Sequence, residues 1–234
     1  MRNLIYVIQF LLVGFCLQSC EDLLVNPAPR EKKIEETYNS YGFVSASKKE
    51  MLINEEFSNN TRMWPMTFTT VQSHMFVGGG LLNMMTSYGG PIISSIELSS
   101  FTGSTNFEIE FLMQIEVSGY SGGNRLLWGY DAASKQYNFM EINDNDRQFS
   151  MGRFDGRADI KKTFYTTNWT GYYQKRSYNK FTIRKVNNTY YYFINDTFIY
   201  QEPFSAFKGN RIGFQTGISN ELNIDWLTVK KLNL

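Results

Sequence analysis

The sequence predicts an all-β domain built from antiparallel strands, arranged as a sandwich or a barrel. The clearest evidence is the segment Phe107–Val117, where an apolar face alternates with a mainly polar face over eleven residues. Other short runs of β-branched and aromatic residues are separated by Gly, Asn, Asp and Ser. Few segments show a helical period. Many short strands with regularly spaced turns are typical of sandwiches and barrels.

Eight further strands are predicted from the same kind of pattern, at Arg125–Tyr130, Tyr137–Ile142, Gln148–Arg153, Phe181–Val186, Thr189–Asn195, Phe198–Gln201, Arg211–Gln215 and Leu222–Leu227. Turns are expected at Asn187–Thr189 and Asn195–Thr197, because Asn and Asp tolerate the backbone conformations of tight hairpins. The strand that contains Tyr190–Phe193 carries a large ring on both faces. Each of its faces therefore either needs a covering layer or has a function.

Residues 1–19 are predicted to be a secretory signal peptide. Arg2 precedes an apolar run from Leu4 to Leu17, which as a helix would reach only about 21 Å, short of a hydrocarbon core of about 30 Å. The run ends in Leu17-Gln18-Ser19-Cys20, which resembles the bacterial lipobox. That resemblance implies cleavage before Cys20 and lipidation of its thiol. The alternative is an ordinary signal peptide followed by a chance cysteine.

The charge balance and the cysteine count exclude several classes of partner. Loss of residues 1–19 removes one basic residue, Arg2, from totals of 23 basic and 22 acidic, so the mature chain is neutral. Nucleic-acid binding needs a basic face, and we expect no such partner. Cys20 would be the only thiol left, which excludes an intrachain disulfide. With one histidine, His74, we expect neither a metal nor another cofactor.

Residues 20–51 are predicted to be the lipidated cysteine and a tether, and residues 52–234 the folded domain. Two prolines and a charge cluster interrupt regular structure in the first of these segments. Glu21 and Asp22 resemble the acidic export signal of Bacteroidota-type lipoproteins, which implies an outer-membrane anchor facing the cell surface. The alternative is a periplasm-facing anchor. In either case the lipid would be the only contact with the membrane.

Seven segments carry a resemblance to a known group of domains. They are NEEFSNNTRMWP (54–65), FEIEFLMQI (107–115), LLWGYD (126–131), YNFMEIND (137–144), YNKFTIRKVNNTYYYFINDTFIY (178–200), NRIGFQTG (210–217) and LNIDWLTVKKL (222–232). In this order they resemble the concanavalin-like jelly rolls grouped with laminin-G-like modules and 3-keto-disaccharide hydrolases. The resemblance covers residues 52–232 and implies an antiparallel two-sheet jelly-roll sandwich. Its motifs are architectural and say less about activity.

Family 16 glycoside hydrolases share this sandwich and carry an E-x-D-x-x-E strand that supplies two catalytic carboxylates. The closest match here is the segment 108–113, where Glu110 replaces the aspartate and the last acid is missing. We therefore expect Glu108 and Glu110 to be ordinary solvated carboxylates.

Hydrolase-like relatives of the resembled group carry a Glu on one strand and a Gln-Asp-His-Gly near the last hairpin. Glu141 and Gln215 match in residue type, but the Asp and His that should follow the Gln are absent. His74 is distant in sequence, in a segment expected to be irregular. These departures weigh against an enzyme.

Two polar or glycine-rich motifs are expected to be turns. Gly78–Gly80 lacks the Lys-Ser/Thr of a phosphate loop. Asp144–Asp146 combines oxygen ligands that suit calcium, although an Asn/Asp turn between strands accounts for it as well.

The candidate ligand-binding residues combine aromatic rings with polar side chains: Trp128, Tyr130, Asp131, Glu141 and Gln215. Sugars stack their C–H faces on such rings and hydrogen-bond to such polar groups. Alternation places Trp128 and Tyr130 on one face, which could equally belong to the core, and it directs Gln215 away from the core. A second set of rings occupies one loop, at Trp169, Tyr172 and Tyr173.

These observations predict a non-catalytic binding module of the cell envelope whose ligand is a carbohydrate. Two alternatives remain open. The rings could form an apolar contact patch of an envelope protein–protein or structural subunit, or the domain could be a divergent glycan hydrolase. The sequence leaves the ligand's identity and the oligomeric state open.

Overall fold

The computed structural model describes residues 40–70, 73–87, 90–117, 123–146, 148–165 and 171–234. These ranges contain a 3-10 turn at Ala46–Lys48 and fifteen strands. The strands are β1 Lys49–Glu55, β2 Thr67–Thr70, β3 Ser73–Gly78, β4 Leu81–Thr86, β5 Ile92–Glu97, β6 Phe107–Val117, β7 Asn124–Asp131, β8 Gln136–Asn143, β9 Gln148–Phe154, β10 Asp159–Tyr165, β11 Asn179–Val186, β12 Thr189–Ile194, β13 Thr197–Pro203, β14 Arg211–Thr216 and β15 Glu221–Leu232.

The strands form two sheets. Within the described ranges, the nine-stranded sheet has the order β13-β12-β11-β6-β15-β4-β3-β2, with β1 added beside β15. The six-stranded sheet has the order β10-β9-β8-β7-β14-β5. The strand pairs in both sheets are antiparallel. The all-β, antiparallel, two-sheet prediction is confirmed.

Strand β6 shows how the sequence pattern builds the core. The residues of its apolar face are buried and belong to the main hydrophobic cluster: Phe107, Ile109, Phe111, Met113 and Ile115. Phe111 meets Phe214 of the other sheet edge to face, with ring centroids 5.6 Å apart. Burial of each large apolar side chain contributes about 1.5–3 kcal/mol. The period-two apolar face of β6 is therefore the face that joins the two sheets.

The two predicted hairpin turns are present. Val186 pairs with Thr189 and Ile194 pairs with Thr197. Three of the four connecting residues adopt positive φ angles, 52° at Asn187, 47° at Asn195 and 61° at Asp196. Asn and Asp reach this region more readily than other residues with side chains, and the choice of turn residues thus fixes the register of β11, β12 and β13.

The segment around His74 is regular, so the expectation of an irregular segment is wrong. His74 lies in β3 and its Nε2 is 2.6 Å from Asn83 Oδ1 on β4. The turn expected at Gly78–Gly80 joins these strands, with φ angles of 64° at Gly79 and 86° at Gly80.

The segment before β1 packs on the outer face of the nine-stranded sheet. Tyr41 stacks on Phe198 with ring centroids 3.8 Å apart, and its carbonyl oxygen accepts a hydrogen bond from Arg184. Val44 is buried. The boundary predicted at residue 52 falls inside β1, so the last residues assigned to the tether pack on the domain.

The predicted signal peptide, Cys20 and residues 21–39 lie outside the described residues. Within the described residues, the structure contains no apolar helix of sufficient length to span a membrane.

Candidate functional site

Trp128 is a core residue. Its side chain is 0% exposed and packs between the sheets, edge to face against Tyr190, with ring centroids 5.7 Å apart. The indole Nε1 donates a hydrogen bond to the Tyr190 hydroxyl at 3.2 Å. A ring without exposed surface cannot stack on a sugar. The sequence allowed either a binding position or a core position for Trp128, and the structure places it in the core. Trp128 is therefore removed from the candidate ligand-binding residues.

Tyr130 lies on the opposite face of β7 from Trp128, so the predicted alternation is wrong at this residue. The pairing of β7 with β8 shifts register between Trp128 and Asp131, and Gly129 adopts a φ angle of 62°. An extra residue of this kind is a β-bulge, which turns the next side chain to the other face. Tyr130 packs edge to face on Tyr137, 5.8 Å away, on the outer face of the six-stranded sheet.

Arg125 binds two acidic side chains on that outer face, Glu141 and Asp159, and Lys161 binds one of them. Its Nε donates to Glu141 Oε2 at 2.6 Å, and its Nη1 donates to Asp159 Oδ1 at 3.1 Å. Lys161 Nζ donates to the other Glu141 oxygen at 2.8 Å. Burial by itself would lower the pKa of Arg125, but Asp159 and Glu141 outweigh it and raise that pKa. Both oxygens of Glu141 are therefore engaged by cations.

Tyr137 extends this network to Gln215. The Tyr137 hydroxyl accepts a hydrogen bond from Arg125 Nη1 and donates one to Gln215 Oε1, each at 3.3 Å. Burial raises the pKa of Tyr137, so the hydroxyl keeps its proton. Gln215 points away from the core, as predicted. Glu141 and Gln215 share one face, joined through Arg125 and Tyr137.

The predicted set missed Arg125, Asp159 and Lys161. Arg125 could have been identified from the sequence, because period-two alternation along β7 places it on the face of the strand opposite to that of Trp128. The pairing of β9 with β10, which brings Asp159 and Lys161 beside Arg125 and Glu141, carries no comparable local signal.

The middle of the outer face is not an open aromatic platform. Leu127 and Phe139 are fully buried there, and the Arg125 guanidinium lies 4.2 Å above the Phe139 ring. The charged groups of this region are paired and its rings are buried. We therefore assign it a role in stabilising the sheet and not in binding a ligand.

A shallow cleft of about 720 Å³ lies at the end of the six-stranded sheet, beside the β7–β8 turn and the segment 207–211; we call it the end cleft. Its lining combines a partly exposed ring with charged and amide side chains: Glu97, Tyr130, Asp131, Lys208, Asn210 and Arg211. Two of the predicted residues, Tyr130 and Asp131, therefore lie together at a concave surface.

The polar groups of the end cleft are held in place by local hydrogen bonds. Asp131 accepts hydrogen bonds from the Ser134 hydroxyl at 2.8 Å and the Ala133 amide at 3.0 Å. These bonds, the Ser134 one first, lower the pKa of Asp131. Asn210 Nδ2 donates to Glu97 Oε1, and Arg211 Nε donates to Ser95 Oγ, both at 3.0 Å. The cleft thus presents pre-positioned donors and acceptors.

Gly129 also makes room for the floor of the end cleft. A Cβ built on Gly129 would lie 2.3 Å from the Phe207 ring. Phe207 stacks on the buried Phe101, with ring centroids 5.4 Å apart, and both rings line the cleft. The same glycine therefore orients Tyr130 and admits Phe207.

Glu108 and Glu110 are not solvated, and that expectation is corrected. Glu108 is 0% exposed and accepts hydrogen bonds from Arg184 Nε at 2.8 Å and Lys49 Nζ at 2.6 Å. Glu110 is paired with Lys230 and with Lys180. Cations from distant segments neutralise both carboxylates on the outer face of the nine-stranded sheet.

Tyr173 and Asp144, two of the remaining candidates, take structural positions. Trp169 lies outside the described residues, and Tyr173 is buried beside Asp144. Residues 144–146 form the turn between β8 and β9, and Asp144 Oδ2 lies 3.5 Å from Lys175 Nζ. Within the described part of the chain, no group of three or more His, Cys, Asp or Glu side chains is placed to hold a metal ion.

Solved structures share this fold. An endo-β-1,3-glucanase from Pyrococcus furiosus matches at 10% identity with a TM-score of 0.56, over 79% of this chain and 95% of that chain. A Bacillus licheniformis β-glucanase matches at 12% identity with a TM-score of 0.50, over 79% of this chain and 99% of that chain. The carbohydrate-binding module CBM66 from Bacillus subtilis matches at 11% identity with a TM-score of 0.48, over 75% of this chain and 91% of that chain.

The two glucanase matches establish a jelly-roll sandwich, the concanavalin-like fold that the sequence resemblance implied. At these identities the likeness extends to the fold alone. No protein-family profile matches the chain, and no curated protein matches it significantly.

Proposed function

We propose that this protein is a non-catalytic glycan-binding lipoprotein of the bacterial outer membrane. One observation carries the binding role: Tyr130, in the end cleft, lies beside oriented polar side chains, including Asp131, Asn210 and Arg211. The glucanases that share the fold are named for glycan substrates, and this chain presents its cleft on the same kind of sandwich.

The end cleft suits a sugar by its chemistry. Tyr130 supplies a partly exposed ring on which the C–H face of a pyranose can stack. The Arg211 guanidinium and the Asn210 amide donate hydrogen bonds, and the Asp131 carboxylate accepts them. A shallow, open cleft accommodates a stretch of chain better than a small enclosed metabolite. We infer binding along a glycan rather than capture of one sugar at this cleft.

The ion pairs of the acidic side chains support a non-catalytic role. Retaining glycosidases need two carboxyl groups about 5–5.5 Å apart, one of which must exchange a proton. Glu108 is held by Arg184 and Lys49, and both oxygens of Glu141 are held by Arg125 and Lys161. Both oxygens of each carboxylate are therefore occupied by cations of the protein, which leaves neither carboxylate oriented toward a glycosidic bond.

The proposed location depends on the lipobox-like sequence that ends at Cys20. Acylation of Cys20 would place the domain at the membrane surface on a tether of about 20 residues up to Tyr41, which could extend several nanometres. The acidic pair Glu21 and Asp22 supports the cell-surface side of the outer membrane.

A glycan array tests the binding role. The mature chain in detergent should bind one class of immobilised oligosaccharide, and Tyr130→Ala should remove that signal. Tyr178→Ala is the matched control, because Tyr178 is 38% exposed and does not line the cleft. Silence across the array together with a co-purifying envelope protein would favour a protein–protein role. Release of product from an oligosaccharide would favour a hydrolase.

A further inference from the structure

A second, smaller pocket lies between the lateral edges of the two sheets. It has a volume of about 180 Å³ and shares no lining residue with the end cleft. Its polar lining comes from β8, β9, β12 and β13 and from the segment after β13: Asn138, Arg153, Tyr190, Tyr192, Glu202 and Ser205. We call it the lateral pocket.

Contacts between the sheet edges shape the lateral pocket. Lys162 Nζ of β10 donates a hydrogen bond to the Tyr200 hydroxyl of β13 at 3.2 Å. Arg153 Nη1 of β9 donates to the Ser205 hydroxyl at 3.4 Å. The lateral pocket therefore lies between two sheet edges that these hydrogen bonds join, so the fold itself defines the pocket.

Glu202 provides a fixed acceptor in the lateral pocket. Its Oε1 accepts a hydrogen bond from the Tyr192 hydroxyl at 2.6 Å. Burial raises the pKa of Glu202, against the opposing effects of Tyr192 and of Lys162. The carboxyl group is thus partly removed from water and is held by a tyrosine that is itself in the core.

Asn138 provides an unused donor in the same pocket. It is 4% exposed, and within the described part of the chain its Nδ2 has no hydrogen-bond partner. A buried polar group without a partner costs free energy in the empty protein. Asn138 lines the lateral pocket, so a ligand that carries an acceptor oxygen there would give this amide a partner.

We propose that the lateral pocket binds a single neutral, polyhydroxylated unit the size of one sugar ring. A hydroxyl group can accept from Asn138 and from Arg153 and can donate to Glu202, so it satisfies donors and acceptor together. The Glu202 carboxylate and the Arg153 guanidinium balance each other in charge, which favours a neutral ligand, and an ammonium ligand offers no acceptor for the Asn138 amide.

The volume supports one unit rather than a chain. Pockets for drug-sized ligands measure about 300–1,000 Å³, and the lateral pocket has about 180 Å³. Ile160 and Pro203, which also line the pocket, can contact the C–H groups of a pyranose while the polar groups bind its hydroxyls. The site is separate from the end cleft, and the inference does not depend on the proposed function.

The test is titration of the ¹⁵N-labelled mature chain in detergent with free D-glucose, D-galactose, D-mannose and N-acetylglucosamine. The side-chain amide signals of Asn138 should shift saturably with at least one of these sugars. Glu202→Gln and Asn138→Leu should each weaken that binding at least tenfold. Glu56→Gln, which changes an exposed carboxylate outside the pocket, should leave it unchanged.

Two outcomes would overturn the proposal: no sugar in the panel binds, or neither pocket variant weakens binding. Asn138→Leu should fold with an unchanged or higher Tm, because it removes a buried amide that has no partner. The nearly isosteric Glu202→Gln keeps the test decisive if Asn138→Leu fails to fold. Tyr130→Ala should leave this binding intact, which separates the lateral pocket from the end cleft.

Discussion

Arg184 and Glu108 form an ion pair in which both side chains are 0% exposed, 76 residues apart in sequence and on neighbouring strands. The pair ties β11 to β6 at the centre of the nine-stranded sheet. The carbonyl oxygen of Tyr41 accepts another N–H of Arg184, so the same guanidinium fastens the segment before β1.

Loss of one partner of this pair should be strongly destabilising. Glu108→Leu would leave a buried guanidinium without its carboxylate, at a cost of about 3–5 kcal/mol in the free energy of unfolding. Adding Arg184→Met should restore part of that loss. Glu50→Leu, at a carboxylate with 56% exposure, should stay within about 0.5 kcal/mol. Urea denaturation of the four proteins checks this, and a cost below 1 kcal/mol for Glu108→Leu would contradict a buried pair.

Gly129→Ala should cost more than Gly79→Ala, although the two glycines have φ angles of 62° and 64°. Both substitutions place a side chain in a left-handed conformation, at about 1–2 kcal/mol. Only at Gly129 would the new Cβ meet a ring, that of Phe207, whereas nothing lies within 4 Å at Gly79. The clash should add about 1–3 kcal/mol. Equal losses in thermal or urea unfolding would show that Phe207 does not pack on Gly129.

Strand β6 and the two hairpin turns show which features of the fold the sequence could predict. The period-two pattern predicted β6 with its observed bounds, and Asn and Asp predicted both hairpin turns. The same pattern placed Glu108 on an outer face, but it gave no sign of the covering cations. Those cations come from β1, β11 and β15, and only the sheet order brings them to Glu108.

The candidate site was predicted in part for a similar reason. Tyr130 and Asp131 lie together at the end cleft, whereas Trp128 lies in the core. A single bulge at Gly129 separates the faces of Trp128 and Tyr130, and alternation cannot anticipate a bulge. The strand β3 around His74 was missed because its apolar pattern is short and its neighbours are glycine-rich.

Glu202 should make stability depend on pH. Its pKa in the folded protein is raised above the ordinary value of 4.5, mainly by burial. Between these two pKa values the folded state binds more protons than the unfolded state, so the free energy of unfolding falls as pH rises through that window. Glu202→Gln should flatten this slope. Urea titrations from pH 4 to pH 7 measure it, and identical pH profiles for the two proteins would contradict a raised pKa.

Cys20 should carry the lipid in the living cell. Metabolic labelling with palmitate should label the wild-type chain and Cys16→Ser, because Cys16 would leave with the signal peptide, but it should not label Cys20→Ser. The unlabelled variant should also leave the detergent phase after phase separation. Label retained by Cys20→Ser would contradict the lipobox assignment.

Glycan recognition at the end cleft can be measured by calorimetric titration of the mature chain with the oligosaccharide that binds most strongly on the array. We expect a saturable exothermic signal and a loss of at least tenfold in affinity for Tyr130→Ala, about 1.4 kcal/mol, with Tyr178→Ala unchanged. Equal affinities for wild type and Tyr130→Ala, or the absence of any binding glycan, would contradict glycan recognition at the end cleft.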